Sequence, residues 1–254
     1  MIALIDADIV AYRCAATCKE EDPLDVAIFR VDKLMREILE MVDATEYRAF
    51  LTGSDNFRKV VNPDYKANRK DMVPPAYLQD CREYLVTEWK AKLSHGQEAD
   101  DELGIHQGDD TVICSIDKDL LMIPGNHFNW TKQQYGDMTT VSEREGNLHF
   151  WKQMLIGDKT DNIFGVQGIG PIKAGQRLDH LDTNDECLSV IIDFYKSDYK
   201  RIAMNAMCLW IKRHEDSVWY KDLGLTLNAR LQQEMDAMLS SMKSLTVDTS
   251  TELS

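Results

Sequence analysis

The stretch "MIALIDADIV" (residues 1–10) has the pattern of a buried β-strand that ends in acidic residues. A short apolar run followed by aspartates is typical of a strand whose carboxyl end reaches the surface. "YRAFLTG" (47–53) and "TVICSID" (111–117) repeat this pattern, and residues 25–43 between the first two have apolar residues at a helical period. Strand, helix and strand in this order predict an α/β domain with a central, mainly parallel sheet flanked by helices.

The second half of the chain has a helical pattern instead. From "NLHFWKQMLIGD" (147–158) onward the strand pattern stops, and helical segments follow a glycine-rich turn, near 184–196, 198–214 and 227–243. We therefore expect an α/β domain over residues 1–147, a helical lobe over 148–245 and a disordered Ser/Thr-rich tail over 246–254. Ser142 and Glu145 have the spacing of a capping box at the start of the first helix of the lobe.

Composition excludes several classes of protein. The chain has 254 residues, of which 44% are hydrophobic and 28% charged, and it has no apolar run of the roughly 18 residues that a membrane span needs. No basic segment precedes the first apolar run, so we expect no signal peptide and a cytoplasmic protein. The six cysteines are scattered without a CxxC pair, which favours reduced thiols over a zinc or redox site.

Charge is distributed unevenly along the chain. The net charge of −14 argues against binding nucleic acid over the whole surface. From Arg58 to Lys92, however, eight basic residues stand against five acids, whereas from His95 to Asp119 eight acids stand against one lysine. We therefore expect a basic face beside an acidic pocket that attracts divalent cations.

The acids form small clusters at the predicted ends of strands and helices. Sites in open parallel sheets lie beyond the carboxyl ends of the strands, and several acids fall there or at the start of a helix. The candidate metal ligands are Asp6, Asp55, Glu98, Asp100, Asp101, Asp117, Asp119, Asp158 and Asp161. Taken alone, "GQEADDELG" (96–104) could be merely the solvated end of a helix, but Asp117 and Asp119, two apart after a strand, point the same way.

Carboxylates that meet in one place need cations to hold them, because otherwise they repel one another and take up protons. Oxygen-only ligands favour Mg²⁺ or Mn²⁺. Two such ions about 4 Å apart are the common device for hydrolysing phosphodiesters. The pattern therefore predicts a nuclease-type metal site.

Two further stretches suggest contact with phosphates. "GVQGIGPIKA" (165–174) places Gly165, Gly168 and Gly170 in a tight turn before a helix that starts at Pro171, so backbone amides and Lys173 can approach an anion. "NPDYKANRKD" (62–71) offers an aromatic residue that can stack on a base and a group of basic residues, namely Tyr65, Lys66, Arg69 and Lys70. The alternative for the second stretch is a solvated basic loop.

Six motifs in one order carry a family resemblance. "LIDADIVAYR", "DNFR", "YKANR", "EADD", "SIDKDL" and "GDKTDNIFGVQGIGPIKA" resemble the 5′ nucleases, which include the 5′ nuclease domain of bacterial DNA polymerase I and free-standing phage exonucleases. The resemblance covers residues 1 to about 180. It implies a PIN-like domain with an arch over about residues 66–95, followed by a helix-three-turn-helix (helix-hairpin-helix) that binds duplex DNA. It also implies two divalent metals, cleavage near 5′ ends, flaps or nicks, and K⁺ on the hairpin carbonyls of Val166 and Ile169.

The resemblance also assigns roles to individual residues. Asp6, Glu98, Asp100 and Asp117 resemble ligands of the more catalytic metal, whereas Asp119, Asp158 and Asp161 resemble the neighbouring group, which Asp101 extends. Lys66 and Arg69, with Tyr65 beside them, resemble the residues that engage the scissile phosphate. The implied DNA-binding residues are Arg58, Lys70, Gly165, Gly168, Gly170 and Lys173.

Three positions depart from the family pattern. The family has an aspartate directly after its second strand, where this chain has "FLTGSDNFR", so Asp55 is a candidate substitute while Thr52 or Gly53 holds the strict position. Ile172 stands where the family commonly has a lysine. The helix after "EADD" is expected to have only one or two turns, because Gly104 follows closely.

The sequence thus predicts a monomeric Mg²⁺-dependent or Mn²⁺-dependent 5′–3′ exonuclease and flap endonuclease, with a role in phage DNA replication or repair. A PIN-type ribonuclease and a DNA-binding module without catalysis are the alternatives. The apolar stripe over 227–245 is interpreted as core packing, with a helix that binds replication proteins as its alternative.

Overall fold

The structure is a computed structural model that describes residues 1–19 and 21–248, with side chains up to residue 242. Residues 249–254 of the predicted tail lie outside the described residues. Contacts divide the chain into two compact units. The first unit comprises Met1–Asp55, Met72–Gly146 and Ile211–Glu215, and the second comprises Asn56–Asp71, Asn147–Trp210 and the chain from Asp216 onward. This division differs from a single boundary at residue 147, because segments near 60 and near 213 each pack with the other half of the chain.

The first unit contains a six-stranded sheet in the order β3-β2-β1-β4-β5-β6. Its strands are β1 (Ile2–Asp6), β2 (Glu46–Leu51), β3 (Lys92–Leu93), β4 (Thr111–Cys114), β5 (Gly125–Phe128) and β6 (Thr139–Val141). Every pairing is parallel except that of β5 with β6. The three strands predicted from sequence are confirmed, and they form the centre of the sheet.

Helices account for most of the remaining chain. They are α1 (Ala7–Ala16), α2 (Leu24–Met41), α3 (Arg58–Val61), α4 (Leu78–Thr87), α5 (Ala99–His106), α6 (Glu143–Ile156), α7 (Pro171–Leu178), α8 (Asn184–Phe194), α9 (Tyr199–Leu209), α10 (Trp219–Asp222) and α11 (Ala229–Asp248). The predicted capping box before α6 is confirmed, since Ser142 N–H donates to the Glu145 carboxylate and Glu145 N–H donates to Ser142 Oγ. None of the helices among the described residues is long and apolar enough to cross a membrane.

The core of the first unit lies between the sheet and α1, α2 and α4. Ile5 of β1 and Val31 and Met35 of α2 are fully buried in it, as are Cys81 and Leu85 of α4. Each such side chain contributes about 1.5–3 kcal/mol on burial. Within the predicted arch, α4 is thus part of a packed core, and residues 70–74 are exposed throughout.

The second unit is held by an aromatic cluster. The ring centroid of Phe150 lies 4.9 Å from that of Trp151 and 5.0 Å from that of Trp210, and Trp151 and Trp219 meet edge to face at 6.2 Å. Leu231 and Met235 of α11 are fully buried, so the predicted packing of its apolar stripe is confirmed for these residues. The unit also contains a short hairpin of β7 (Gly157–Asp158) and β8 (Ile163–Phe164), which the sequence pattern did not reveal.

Candidate active site

Asp6 lies at the carboxyl end of the central strand. It is the last residue of β1 and the N-cap of α1, where its Oδ1 accepts the Ile9 N–H at 3.1 Å. Its Oδ2 accepts the Ser115 hydroxyl proton at 2.7 Å, because β1 and β4 pair with Ile5 opposite Cys114. Asp6 is only 2% exposed, so its carboxyl is fixed at the edge of the sheet by two hydrogen bonds.

The electrostatics of Asp6 show that further acids are close to it. Burial is the main cause that raises the pKa of Asp6 to about 7; the Asp8 and Asp117 carboxylates also raise it, while the hydrogen bonds from Ser115 and Ile9 lower it. Neighbouring charges shift a pKa most over short distances in a poorly solvated place. The carboxyl ends of β1 and β4 therefore bring acids together, as the sequence pattern predicted for Asp6 and Asp117.

Ser115 links the two sides of this edge, although no sequence signal singled it out. Besides donating to Asp6, its Oγ accepts the Asp117 N–H at 3.0 Å. Asp117 Oδ1 in turn accepts the Asp119 N–H at 2.9 Å, at the start of a 3₁₀ turn over Asp119–Met122. One hydroxyl thus sets the position of the Asp6 carboxyl and of the backbone that carries Asp117.

The acids at the start of α5 have different roles. Asp101 is fully buried, and its two oxygens accept the N–H of Glu98 at 3.0 Å and of Lys212 at 3.1 Å. These bonds anchor the start of α5. Glu98 is 5% exposed and Asp100 is half-buried. α5 has eight residues, in agreement with the short helix that was predicted.

Gly104 is required by packing. A Cβ on Gly104 would lie 2.0 Å from the Lys212 carbonyl oxygen, so only glycine lets this backbone approach α5. The same Lys212 residue donates its N–H to Asp101. Gly104 lies inside α5, which continues to His106, and its missing side chain lets the segment that binds Asp101 come close.

Thr52 occupies the position directly after β2. Its N–H donates to Asp8 Oδ2 at 2.8 Å, and its Oγ1 accepts the Ala99 N–H of α5 at 3.0 Å. Asp55 is exposed and accepts the Gly96 N–H at 2.7 Å, while Gly53 N–H donates to Ser94 Oγ. In this structure Asp55 stabilises a loop, and the acid that hydrogen-bonds to the end of β2 is Asp8.

Asp158 and Asp161 belong to the second unit, where they bind the predicted basic stretch. Asp161 Oδ2 accepts the Tyr65 hydroxyl at 2.7 Å, and its Oδ1 accepts Arg69 Nη2 at 2.7 Å. Lys66 Nζ lies 3.6 Å from Asp161 Oδ2. Tyr65 is buried at 4% exposure, so it is not available to stack on a base. Asp158 Oδ1 accepts the Thr160 N–H at 2.8 Å.

Arg58 is an internal residue of the second unit rather than a surface residue. It is 2% exposed, and its guanidinium donates to the carbonyl oxygens of Cys208 at 2.9 Å and Trp210 at 2.8 Å. Cationic donors are favourable at the carbonyl end of a helix, here that of α9. Arg58 is therefore not carried into the DNA-binding set, whereas Lys70 is exposed.

The predicted hairpin forms a tight turn before α7. Gly168 has φ of +78°, which favours glycine, and Gly170 is the N-cap before Pro171. Ile169 N–H donates to the Val166 carbonyl at 3.1 Å, and Lys173 Nζ donates to the Gly168 carbonyl at 2.9 Å. The Gly165 carbonyl accepts the Arg201 guanidinium, which fixes the base of the turn.

Comparison with known proteins agrees with this arrangement. No family model matches the chain. The flap endonuclease Xni of Shewanella putrefaciens (strain CN-32) is 27% identical over 219 residues, which cover 79% of this chain and 82% of the relative. The T5 D15 protein co-crystallised with metal ions has a TM-score of 0.61 at 16% identity, covering 96% of this chain and 98% of the other. The bacteriophage T5 D15 flap endonuclease in a complex with DNA and metal ions has a TM-score of 0.52 at 16% identity, covering 95% and 99%.

These likenesses show the fold and the proteins that the chain resembles. The fold is the PIN-like α/β fold of the T5 nuclease, with a mostly parallel sheet flanked by helices. The relatives that match at 26–29% identity are named flap endonucleases.

Proposed function

We propose that the chain is a divalent-metal-dependent 5′–3′ exonuclease and 5′ flap endonuclease that hydrolyses DNA phosphodiesters. The observation that carries the proposal is the meeting of Asp6, Ser115 and Asp117 at the carboxyl end of β1 and β4. Relatives named flap endonucleases and a neighbouring structure that contains DNA and metal ions support it.

The residues at this edge suit two Mg²⁺ or Mn²⁺ ions in their chemistry. Their donors are carboxylate oxygens, which hard divalent cations prefer. In the first unit the acids that would hold the ions are Asp6, Glu98, Asp100, Asp117 and Asp119. The other two predicted ligands, Asp158 and Asp161, lie in the second unit. Within residues 1–19 and 21–248 no three acidic, His or Cys side chains are placed to hold an ion as they stand, so binding requires these side chains to turn toward it.

The protein residues have separable tasks in this mechanism. Divalent cations supply the positive charge that activates water and stabilises the leaving oxygen in phosphodiester hydrolysis. Ser115 holds the Asp6 carboxyl, and Asp101 anchors the start of α5 next to Glu98 and Asp100. Because these supports are buried, they fix the backbone that carries the acids, on which the acidic side chains turn toward an ion.

The hairpin is the proposed contact with duplex DNA. Gly165, Gly168 and Gly170 shape the turn, and Lys70 and Lys173 supply positive charge that binds phosphates without reading sequence. A K⁺ ion on the carbonyls of Val166 and Ile169 belongs to the same proposal.

The biological setting is also part of the proposal. The nuclease would act as a monomer in the cytoplasm, in phage DNA replication or repair. Its substrates would be 5′ ends, flaps and nicks. An interaction of α11 with replication proteins would need its exposed face, since Leu231 and Met235 are buried.

The test compares substrates, metal and one acid. 5′-labelled flap DNA, nicked duplex and single-stranded RNA are incubated with Mg²⁺ or EDTA, using wild type and Asp117→Asn. We expect Mg²⁺-dependent cleavage of the DNA substrates near the 5′ end, reduced by more than about 100-fold in Asp117→Asn. Asp109→Asn is the matched control, because Asp109 is an exposed acid just before β4.

Four results would contradict the proposal. Cleavage that persists in EDTA, or that survives Asp117→Asn unchanged, removes the metal site from the reaction. Cleavage of RNA alone favours a PIN-type ribonuclease. Binding of flap DNA without any cleavage favours a DNA-binding module that has lost catalysis.

A further inference from the structure

Arg82 is a basic side chain placed among the acids of the first unit. It lies on α4 beside the buried Cys81, and its Nη1 donates to Asp8 Oδ1 while its Nη2 donates to the Thr52 carbonyl. The side chains of Arg82 and Asp8 are 23% and 29% exposed. The guanidinium is therefore fixed in position but still reached by solvent.

The contacts of Thr52 and Asp8 place this guanidinium at the edge of the sheet that carries Asp6. Asp8 accepts the Thr52 N–H at 2.8 Å, directly after β2, and the Asp8 carboxylate is one of the charges that act on Asp6. Thr52 also accepts the Ala99 N–H at the start of α5. Arg82 thus contacts Asp8 of α1 and the residue after β2 that accepts a hydrogen bond from the start of α5.

The guanidinium has hydrogen-bonding capacity left over. An arginine carries five N–H donors in a planar fork that matches two oxygens of a phosphate. Two of the donors of Arg82 are used by Asp8 and Thr52, and its other N–H groups have no protein partner in the described part of the chain.

The substrate of the proposed reaction makes a fixed cation useful here. A phosphodiester is an anion, and an edge lined with carboxylates repels it. A guanidinium that is hydrogen-bonded to one of those carboxylates offers a local positive charge. Because its orientation is set before the anion binds, little side-chain conformational entropy is lost on binding.

We propose that Arg82 binds a non-bridging oxygen of one DNA phosphate at the active site, and that Asp8 is the residue that positions Arg82. The inference rests on the proposed function, because it takes DNA as the substrate. It gives Asp8 a task other than that of a cation ligand.

The test removes one charge from the protein and one from the DNA. A fluorescent 5′-flap duplex is prepared with a neutral methylphosphonate at single positions around the junction, and binding is measured by anisotropy in EDTA. For wild type, we expect one position at which the neutral group weakens binding by roughly 10-fold or more, the value of a charge-assisted hydrogen bond. Arg82→Gln should bind the charged and neutral DNA equally at that position, with a salt slope lower by about one.

Three further variants separate the roles. Arg82→Lys keeps the positive charge but not the planar, two-pronged arrangement of N–H donors. It should therefore keep part of the difference in affinity between charged and neutral DNA. Arg30→Gln is the matched control, because Arg30 forms an ion pair with Asp22 at similar exposure elsewhere in the first unit, and it should behave as wild type. Asp8→Asn should reduce the discrimination while the rise in melting temperature on adding Mg²⁺ stays as in wild type.

Each contrary result has one meaning. The phosphate contact is overturned if Arg82→Gln still binds the DNA with the neutral group more weakly than the charged DNA at that position. It is also overturned if the variant loses affinity equally for every DNA and its melting temperature falls as well. If Mg²⁺ no longer raises the melting temperature of Asp8→Asn, Asp8 is a cation ligand and its positioning role is overturned. Wild type that neither binds nor cuts flap DNA refutes the proposed function itself, and the inference with it.

Discussion

Replacing Asp6 by asparagine should make the protein more stable at pH 8 in the absence of divalent cations. Asp6 is 2% exposed, and burial together with the charges of Asp8 and Asp117 raises its pKa from an ordinary value of 3.8 to about 7. The folded protein at pH 8 must therefore hold an ionised carboxyl where ionisation is unfavourable. Asparagine has the same shape and carries no charge.

The magnitude follows from the two pKa values. At 1.36 kcal/mol per pKa unit, a rise from 3.8 to about 7 lowers the free energy of unfolding by about 4 kcal/mol once Asp6 is ionised in both states. Because the pKa of Asp6 is higher in the folded state than in the unfolded state, the contribution of Asp6 to stability is fully present below pH 3.8 and is lost progressively as pH rises to about 7. Asparagine can still accept the Ile9 N–H, but the Ser115 hydroxyl proton loses its acceptor, which costs about 1–2 kcal/mol. The expected net gain is about 2–3 kcal/mol at pH 8 and close to zero near pH 5.

Urea unfolding followed by circular dichroism in EDTA measures this difference. Wild type, Asp6→Asn and the exposed control Asp109→Asn are compared from pH 5 to pH 8, so that titration of all other groups cancels between variants. An Asp6→Asn protein that is less stable than wild type at pH 8, or whose advantage is the same at pH 5 and pH 8, would refute the reasoning. In the nuclease assay the same variant should be inactive.

Four other variants test the surroundings of single residues. Ile172 is 79% exposed in the hairpin. Ile172→Lys should therefore raise the affinity for duplex DNA and steepen the dependence of log affinity on log salt concentration by about one, whereas Lys173→Gln should lower the affinity and flatten that dependence. Binding titrations at several salt concentrations measure both quantities. Asp101→Asn should reduce the free energy of unfolding by about 2–3 kcal/mol, because the new amide N–H₂ group would face a backbone N–H donor in a fully buried place. Urea unfolding measures this difference, and an unchanged free energy of unfolding would contradict the anchoring role of Asp101. Gly104→Ala should cost at least about 2 kcal/mol in the same assay, since its Cβ would lie 2.0 Å from the Lys212 carbonyl oxygen.

The centre of the sheet was predictable because its strands carry their own signal. β1, β2 and β4 are continuous apolar runs that end in polar residues, and the order of strand and helix fixes the parallel arrangement. Register places Asp6 opposite Ser115, and the Ser115 hydroxyl then brings the backbone of Asp117 to the same edge. By contrast, β3 has two residues and β6 has three, which is too short for a periodic pattern.

The partners of individual charged side chains were not predictable, since they lie far apart in sequence. Asp161 binds Tyr65 across 96 positions, and Arg82 binds Asp8 across 74. A count of basic residues between 58 and 92 does not show that Arg58 is buried against the end of α9. Local sequence gives the charge of a residue, whereas its partner depends on tertiary packing.

The division of the chain into interleaved units has a consequence for synthesis on the ribosome. Residues 56–71 emerge early, yet their partners, such as Asp161 for Tyr65 and the Cys208 carbonyl for Arg58, are translated about 90 to 150 residues later. The first unit likewise waits for Lys212, whose N–H satisfies the buried Asp101. Neither unit can therefore be completed by a nascent chain that stops before Lys212, so a fragment cut at residue 147 would leave both of them without bonds that the whole protein makes.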